Sequence, residues 1–594
     1  MKKIRTLTAV ILIAALLSGC SLPGASESSI FGKIEDFFSS SSGNGMDREE
    51  MQAKRNEVIV PFSEMVYTRP DVDKLIDDIH VLEDALDEGK MSLKKIEELI
   101  DVVYADYYTF TTMYNLANVH NSLNTVDEFY ADEYAWCEEQ SAVVQDMIDE
   151  MYFACGGSKY ALKLEKDYFW EGFAEEYADI ADSMYTEELV ALMQQEANIL
   201  AEYRALVADP TVTVDGQEVG FYDGLENADN AQTYYAILFG YYDKYNPLVS
   251  ELFARLVKVR NEMAAEAGYD SYEAMQYDYY YERDYTPEEA AAYIDDIRNF
   301  IVPLTEEIGE KYSYYDIDFG SINEKTLYEI LDVLSEELGG HVREAYEFMR
   351  QYELSDLSYS TKKSGMSFQT YFADYEAPFL LISAQKDISD VLTTVHEFGH
   401  YSDGYTSFDA PETIDLAECY SQSLEYLSLS RLGDVLSKKT VRNIRIYKLI
   451  DTVTLYTQQA SFAEFEREVY ALPEDQLTAE NFNEISLRLA EDFGYMEEGF
   501  ESYYSRSWID ISHFFEAPFY VISYPVSNDV ALQVYGLERE EAGAGVAKFL
   551  EMLEHESQYL IETVDEYGLK NPLEEGSVKE AADLIRSMLE DIDS

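Results

Sequence analysis

Basic side chains are scarce in this sequence. Its 594 residues include 43 Lys and Arg against 117 Asp and Glu, for a formal net charge of −74. Binding to nucleic acid needs Lys and Arg to displace counterions from the phosphate backbone, so the charge argues against nucleic-acid partners. It also argues against a basic patch that would hold the protein on anionic lipid. Attraction of cationic ligands or metal ions suits this composition better.

Cysteines are equally few, and they are widely spaced. After Cys20 the chain has only Cys137, Cys155 and Cys419, without a CxxC pair or a Cys/His finger spacing. This pattern excludes a disulfide framework. A Cys137–Cys155 disulfide is conceivable, but the pattern favours two unpaired helical cysteines.

Long apolar runs are absent after the N-terminus, which argues against membrane-spanning helices. The N-terminus has Lys2, Lys3 and Arg5 before a short apolar run that ends in Leu-Ser-Gly-Cys20. This is the pattern of an export signal, and its ending resembles the bacterial lipobox, whose cysteine receives lipid. An ordinary secretory signal with a chance cysteine is the alternative. We predict a signal peptide over residues 1–19, then lipidated Cys20 and a flexible Ser- and Gly-rich linker over 20–47.

The remaining sequence predicts a mostly α-helical protein. With 47% hydrophobic and 27% charged residues the chain has a globular composition. Apolar residues at three- and four-residue steps predict helices up to about residue 209, and an Asp215-Gly216 turn then predicts a hairpin. Residues 366–383 are aromatic and apolar and predict two short strands, broken by Glu376-Ala377-Pro378. We expect an N-terminal helical region over 48–210 and a catalytic region over 211–594.

Histidines are also rare, which makes two of them conspicuous. Of the seven histidines, His396 and His400 lie in the segment DISDVLTTVHEFGH, which is predicted to form a helix capped by Asp387. Side chains at i and i+4 lie on one helix face, about 5–6 Å apart at Cβ, so both imidazoles can reach one metal ion. Glu397 is placed to act on a metal-bound water. Two ordinary helical histidines are the alternative interpretation.

A catalytic zinc usually has three protein ligands and one open position. A second predicted helix, from Asp409-Ala410-Pro411 to about residue 432, carries Glu418 and Glu425 on one face. Both lie among residues suited to burial, where an isolated carboxylate would be very costly. A solvated acidic face is the alternative, but the nearby histidines favour Glu418 as the third ligand and Glu425 as a partner that orients an imidazole.

Another histidine lies in unusually apolar surroundings. His513 belongs to the nearly uncharged stretch WIDISHFFEAPFYVISYPVS, which also contains Tyr520 and Tyr524. A histidine and two phenol hydroxyls in an apolar setting are suitable donors to an oxyanion. A core histidine with a satisfied hydrogen bond is an equally good interpretation of these residues alone.

Three segments together resemble the thimet oligopeptidase and oligoendopeptidase F family of zinc metallopeptidases. They are HEFGH, the downstream AECYSQSLEYL and the late HFFEAPFYVISY. The stretch FADYEAPFLLISAQKDISDVLTTVHEFGH is similar to the oligoendopeptidase F branch. The resemblance covers roughly residues 211 to 590.

This resemblance implies both a fold and a site. The fold would be a mostly helical, two-lobed body with a deep central channel and a small β-sheet beside the HExxH helix. One Zn²⁺ per chain would be bound by His396, His400 and Glu418. Glu397 would be the general base, and His513 with Tyr520 or Tyr524 would stabilise the tetrahedral intermediate.

The predicted function is hydrolysis of short unfolded peptides by a lipid-anchored zinc oligopeptidase. Its location would be the outer face of the cytoplasmic membrane, facing the cell exterior or envelope space, with membrane attachment only through the N-terminal lipid. The alternative is a lipoprotein that binds peptides or metal without cleaving them. No oligomeric state is predicted.

Overall fold

The computed structural model describes residues 48–169, 172–174, 177, 186–408, 412–554 and 557–592. The predicted signal peptide, Cys20 and the linker lie outside the described residues and stay predictions. The chain is 71% helical with small sheets, which confirms the predicted fold class. In the described part of the chain, none of the helices combines the length and apolarity that a membrane crossing requires.

Six helices form the N-terminal part of the described chain. They are α1 (Arg48–Val58), α2 (Val72–Glu88), α3 (Leu93–Leu123), α4 (Glu128–Gly156), α5 (Ala161–Asp167) and α6 (Glu187–Val207). Helices α2, α3 and α4 pack on one another around a small hydrophobic core. On α2, Leu75, Ile79, Leu82 and Leu86 follow the predicted three- and four-residue steps and are buried in this core. Cys137 and Cys155 are free and buried, as expected.

The predicted hairpin is confirmed as strands β1 (Thr211–Val214) and β2 (Gln217–Gly220), paired antiparallel. Seven helices follow it: α7 (Phe221–Glu226), α8 (Ala231–Glu266), α9 (Tyr272–Met275), α10 (Pro287–Phe300), α11 (Val302–Gly309), α12 (Glu324–Leu338) and α13 (Gly340–Gln351). A π-helical turn over Gln276–Tyr280 follows α9. Helix α6 packs along α8 and so contributes to the large core that runs through the rest of the chain. The boundary at residues 210 and 211 stays a prediction.

A second, three-stranded sheet lies beside the HExxH segment. Its strands are β3 (Ser355–Asp356), β4 (Phe368–Phe372) and β5 (Ala377–Leu381), in the order β3-β5-β4. The predicted break at Glu376-Ala377-Pro378 lies too late, because the turn covers residues 373–376 and Ala377 and Pro378 belong to β5. Pro378 has no N–H to donate to the sheet. Its partner Tyr371 directs its own peptide groups away from β5, so no hydrogen bond between the two strands is lost there. The short strand β3 was not predicted.

Ten helices complete the described part of the chain. They are α14 (Ser389–Ser407), α15 (Ile414–Ser428), α16 (Lys438–Tyr470), α17 (Ala479–Asp492), α18 (Glu501–Tyr504), α19 (His513–Glu516), α20 (Ser523–Glu540), α21 (Ala544–Met552), α22 (Leu560–Glu566) and α23 (Ser577–Asp591). Helix α14 lies against β4 and β5 on one side and against α15 on another. Helix α15 packs along α20 in turn, so α14, α15 and α20 form consecutive layers.

The two helices predicted to carry the site begin later than expected. Asp387 is not the N-cap of α14; that position is taken by Ile388, and the Asp387 carboxylate instead accepts from the N–H of Ser389 in a local turn. Helix α15 begins after Thr413 and ends at Ser428. Residues 409–411, where its start was predicted, lie outside the described residues.

Candidate active site

The three predicted metal ligands come together at the crossing of α14 and α15. His396, His400 and Glu418 each offer a ligand atom, and these atoms all lie within 4.8 Å of one another. The two imidazole rings are 5.0 Å apart between centroids, as expected for positions i and i+4. The Nε2 atom of His396 lies 3.6 Å from a carboxylate oxygen of Glu418. The helical spacing and the helix crossing together form this cluster.

Gly399 allows the close approach of the two helices. A Cβ atom at this position would lie 2.5 Å from the Cα atom of Ser421 and 2.8 Å from its backbone nitrogen. Backbone atoms at that distance cannot be displaced by a side-chain rotation. The missing side chain therefore sets how near Glu418, one turn before Ser421, comes to the histidines on α14.

The donor set is suited to a zinc ion. Burial lowers the pKa of His400 to about 3, so its imidazole is neutral and can offer a lone pair. Burial raises the pKa of Glu418, although the neighbouring His396 acts in the opposite direction. Two imidazoles and one carboxylate are a donor set found in catalytic zinc sites. The residues present thus fit the predicted ion.

Glu397 lies beside this cluster and is itself buried. Burial raises its pKa to about 7, and the nearby Glu418 carboxylate acts in the same direction. The backbone N–H of Gln369 on β4 opposes the shift by stabilising the charged form. A carboxyl group with a pKa near neutrality can both accept and return a proton, which is the property required of a general base.

Glu425 lies within hydrogen-bonding distance of His396, and a lysine lies on its other side. The Oε1 atom of Glu425 lies 2.9 Å from Nδ1 of His396, and its Oε2 atom lies 2.8 Å from Nζ of Lys448. Although burial opposes it, the charge of Lys448 holds the pKa of Glu425 below its usual value. An ionised Glu425 accepts a hydrogen bond from the Nδ1–H of His396, which leaves the Nε2 lone pair available at the metal position that His396 shares with Glu418.

Lys448 was missed in the sequence analysis. It is 1% exposed and lies on α16, where its ammonium group also lies 3.3 Å from Asp451 and over the ring of Tyr426. The only sequence signal was a lysine in the apolar run IRIYKLI. Lysines are rarely buried without a charged partner, so this position could have been matched to a carboxylate predicted to be buried, such as Glu425.

The second predicted group, His513 with two tyrosines, also forms a buried cluster. The Nε2 atom of His513 lies 3.4 Å from the hydroxyl of Tyr524, and the Tyr520 ring lies 5.5 Å from the imidazole between centroids. Burial lowers the pKa of His513 to about 4, so this histidine is neutral at physiological pH. A neutral imidazole can donate one hydrogen bond, as can each phenol.

Gln422 connects the two groups. Its side-chain amide donates to the backbone carbonyl of Tyr524 at 3.4 Å, and it also hydrogen-bonds the Glu418 carboxylate one turn away on α15. Its carbonyl oxygen accepts from Asn528 on α20. The packing of α15 along α20 thus places the His–Tyr cluster next to the helix that carries Glu418.

Two family models match the chain. The peptidase M3 N-terminal domain matches residues 62–195, and peptidase family M3 matches residues 341–583. Together the two matches cover more than half of the chain, and the second contains every site residue named above. No curated protein matches by sequence.

Solved structures of the same kind share the fold. A candidate oligoendopeptidase F superposes with a TM-score of 0.73 at 23% identity, covering 90% of this chain and 99% of that one. PZ peptidase A with an inhibitor gives 0.72 at 23% identity, covering 90% and 100%. A candidate oligoendopeptidase F from Bacillus anthracis strain Ames gives a TM-score of 0.67 at 23% identity, covering 89% of this chain and 98% of that one.

Proposed function

The chain belongs to peptidase family M3, and on that premise we propose that it is a zinc-dependent oligopeptidase that hydrolyses short unfolded peptides outside the cytoplasmic membrane. Family membership makes it a metallopeptidase. The observation that carries the finer proposal is the convergence of His396, His400 and Glu418 with Glu397 beside them.

The metal would be held by His396, His400 and Glu418. A zinc ion there would polarise the scissile carbonyl and acidify the attacking water. The chain's own contribution begins with Glu397, which takes the proton of that water and returns it to the leaving amine. Its pKa of about 7 suits both steps near neutral pH.

The His513 cluster would donate to the oxyanion that develops on the substrate. The contact of the Tyr524 hydroxyl with His513 favours Tyr524 as the second oxyanion donor. The ring of Tyr520 lies next to that of Tyr524, so Tyr520 is a further candidate. Donors fixed before the reaction begins are worth more than donors recruited from water, because no reorganisation is needed.

Strand β4 is proposed to align the substrate backbone. Among the described residues it pairs only with β5, so its other edge is not used by the sheet. Gln369 lies opposite Leu380, whose N–H is directed to Leu354 beside β3, so the peptide groups of Gln369 point to the outer edge. That edge faces Glu397, which supports alignment of an added peptide strand past the general base.

Hydrolysis, rather than mere capture of peptides or metal, is tested by Glu397→Gln. This variant keeps the size of the side chain and all three proposed ligands. We expect turnover of a quenched peptide to fall about 10²–10⁴-fold while bound zinc stays at one per chain. Near-normal turnover with zinc bound would refute the role of Glu397 and favour a different base.

The metal itself is tested by chelation and by Glu418→Gln. A chelator should abolish peptide cleavage, and added Zn²⁺ should restore it. Glu418→Gln should weaken zinc retention without loss of helical circular dichroism. Full zinc content and activity in that variant would move the third ligand elsewhere.

We propose that substrates are short and unstructured, because the family resemblance implies a channel too narrow for a folded domain. The net charge of −74 should also favour peptides with basic residues, more clearly at low salt than at high salt. Rapid cleavage of a stably folded protein that contains the same local sequence would overturn the size restriction.

Attachment through a lipid on Cys20 completes the proposal. The wild-type protein should partition with membranes, whereas Cys20→Ser should lose the lipid and be poorly processed. A tether of about 26 residues, if flexible, spans about 25–30 Å and leaves the body free to meet peptides in the envelope. Recovery of wild-type protein without lipid would make the signal an ordinary secretory one.

A further inference from the structure

The connection between α19 and α20, residues 517–522, is irregular backbone buried inside the protein. Phe519 and Tyr520 in this connection are 2% and 3% exposed. Loops normally run over the surface, because a buried one must find internal partners for its peptide groups. Here the buried Arg283 supplies partners for two of its carbonyls, and the buried Arg260 does the same for the helical turn just before it.

Arg283 holds the second half of the connection. Its guanidinium donates to the backbone carbonyls of Phe519 at 3.0 Å and Tyr520 at 3.4 Å. A further hydrogen bond of 2.8 Å reaches the hydroxyl of Ser523, the first residue of α20. The same group thus fixes the backbone on both sides of the turn that leads from Tyr520 to Tyr524.

The charge of Arg283 is balanced by the metal-ligand helix. Its Nε atom lies 3.2 Å from the carboxylate of Asp415, one turn before Glu418 on α15. The hydroxyl of Tyr285 donates to the other oxygen of Asp415 at 3.0 Å. Arg283 therefore joins the helix of the proposed zinc ligand to the segment of the proposed oxyanion donors.

Arg260 holds the other end of the segment. It donates to the carbonyls of Phe514 at 3.0 Å and Phe515 at 2.5 Å, and its charge is balanced by Glu196 at 2.6 Å. These carbonyls belong to α19, the single helical turn that begins at His513. The last carbonyls of a helix have no partner within it, so Arg260 caps the turn that presents His513.

The backbone between the two arginines is strained. Phe519 has a φ of +63°, in the left-handed region that residues other than glycine rarely adopt. Its N–H donates to a carboxyl oxygen of the fully buried Glu466 at 2.9 Å. Such a conformation persists only where the surroundings enforce it, and strain of this kind clusters at functional sites.

We propose that Arg260 and Arg283 are positioning residues that hold His513, Tyr520 and Tyr524 in the geometry needed for oxyanion stabilisation. This inference rests on the proposed function. Neither arginine acts on the substrate itself, since the hydrogen bonds described above direct both guanidiniums to the segment and to their carboxylates. Loss of either one should weaken binding of the transition state more than binding of the substrate.

The test compares Arg283→Lys and Arg260→Lys with Arg255→Lys, an exposed arginine on the same helix as Arg260. A lysine keeps the charge, but its single ammonium group lacks the planar fork with which a guanidinium reaches acceptors that lie apart from one another. We expect kcat to fall about 10²-fold in the two buried variants, with KM within about threefold and one zinc retained per chain. The affinity for a phosphinic peptide, which mimics the tetrahedral state, should fall by a similar factor. Arg255→Lys should match the wild type.

Milder variants keep the test decisive if a buried substitution prevents folding. Ser523→Ala removes one acceptor of Arg283, and Tyr281→Phe removes a separate 3.0 Å hydrogen bond to the carbonyl of Pro518. Each should lower kcat and the phosphinic-peptide affinity together, by a smaller factor. In addition, guanidinium ion should partly restore kcat in a folded Arg283→Ala variant.

Two results would overturn the positioning role. One is an unchanged kcat in folded, zinc-loaded Lys variants, or in both mild variants if the Lys variants do not fold. The other is a loss of bound zinc together with a raised KM and a lowered kcat, which would mark the arginines as merely structural. An inactive but zinc-loaded wild-type protein would instead overturn the proposed function, and this inference with it.

Discussion

The proposed metal site and the segment from His513 to Tyr524, here called the His–Tyr segment, are both largely buried, but different interactions hold them in place. On the metal side, His396, His400 and Glu418 are carried by two regular helices whose closeness depends on Gly399. The His–Tyr segment has a one-turn helix, a strained loop and the start of another helix, and buried charges hold its backbone. The metal side therefore depends on helix geometry, and the His–Tyr side on long-range hydrogen bonds. Perturbations of the two should differ accordingly.

The largest expected effect is that of Gly399→Ala, which acts on the metal side. The new methyl group would meet the backbone of Ser421 at 2.5 Å, so α14 and α15 must separate. A displacement of about 1 Å at a catalytic site costs about 10²-fold in rate, and a fall in zinc affinity of about 10–100-fold should add to this loss. Zinc titration and peptide turnover measure the two effects.

The control for this change is Gly433→Ala, because a Cβ atom at Gly433 meets nothing within 4 Å. It should leave zinc affinity and turnover as in the wild type. Normal zinc binding in Gly399→Ala would show that the helix crossing does not set the ligand geometry.

The next effect separates the two tyrosines on the other side. Removal of one oxyanion donor costs about 10²–10³-fold in kcat. We expect Tyr524→Phe to show this loss, with zinc retained, because its hydroxyl lies 3.4 Å from His513. Tyr520→Phe should lose less. The reverse order in kcat measurements would assign the donor role to Tyr520.

Lys448→Met tests whether a residue distant in the sequence stabilises the metal side through Glu425. Without the ammonium group, Glu425 would be a buried carboxylate with only His396 beside it. Loss of such support typically weakens metal affinity about 10–100-fold. Competition with a zinc chelator measures the change. Lys439→Met, at an exposed position on the same helix, is the control and should have wild-type affinity.

The smallest effect on peptide turnover is expected in the N-terminal helices, which lie outside both groups of site residues. Burial raises the pKa of Asp149 on α4 to about 8, so the folded protein keeps a proton that the unfolded chain has lost. Its contribution to stability is complete below about pH 4 and is lost as pH rises to about 8, by at most about 1.4 kcal/mol per pH unit. Asp149→Asn should therefore raise the free energy of unfolding at pH 7 more than at pH 4.5.

Denaturant titrations at the two pH values measure this difference, and peptide turnover should not change. Glu139→Gln, on the exposed face of the same helix, should alter stability by less than about 0.5 kcal/mol. Equal effects of Asp149→Asn at both pH values would contradict a raised pKa.

Local sequence spacing predicted which residues of the metal side share a helix face. Residues at i and i+4 share a face in any helix, so the spacing of His396 and His400 is enough to predict that they lie together. The seven-residue spacing of Glu418 and Glu425 likewise places both on one face of α15, and both side chains are buried. The errors in secondary structure near this site were the start of α14, the break between β4 and β5, and the short strand β3, which was not predicted.

Other features depended on partners far apart in the chain. Lys448, Arg260 and Arg283 have no local signal for a role, because each acts on a segment that only folding brings near. Arg283, for example, lies more than 230 residues from the carbonyls it holds. The hydrogen-bonding partner of a buried charge follows from how helices pack, and helical periodicity does not encode it.

By itself, then, the sequence determined the helical class, the small sheet and the residues on each helix face, because those follow from backbone geometry repeated every few residues. Tertiary structure alone decided that α14 and α15 meet at Gly399 and that two buried arginines hold the His–Tyr segment. These contacts depend on which distant side chains can satisfy one another once water is excluded, and that choice is made only when the whole core packs.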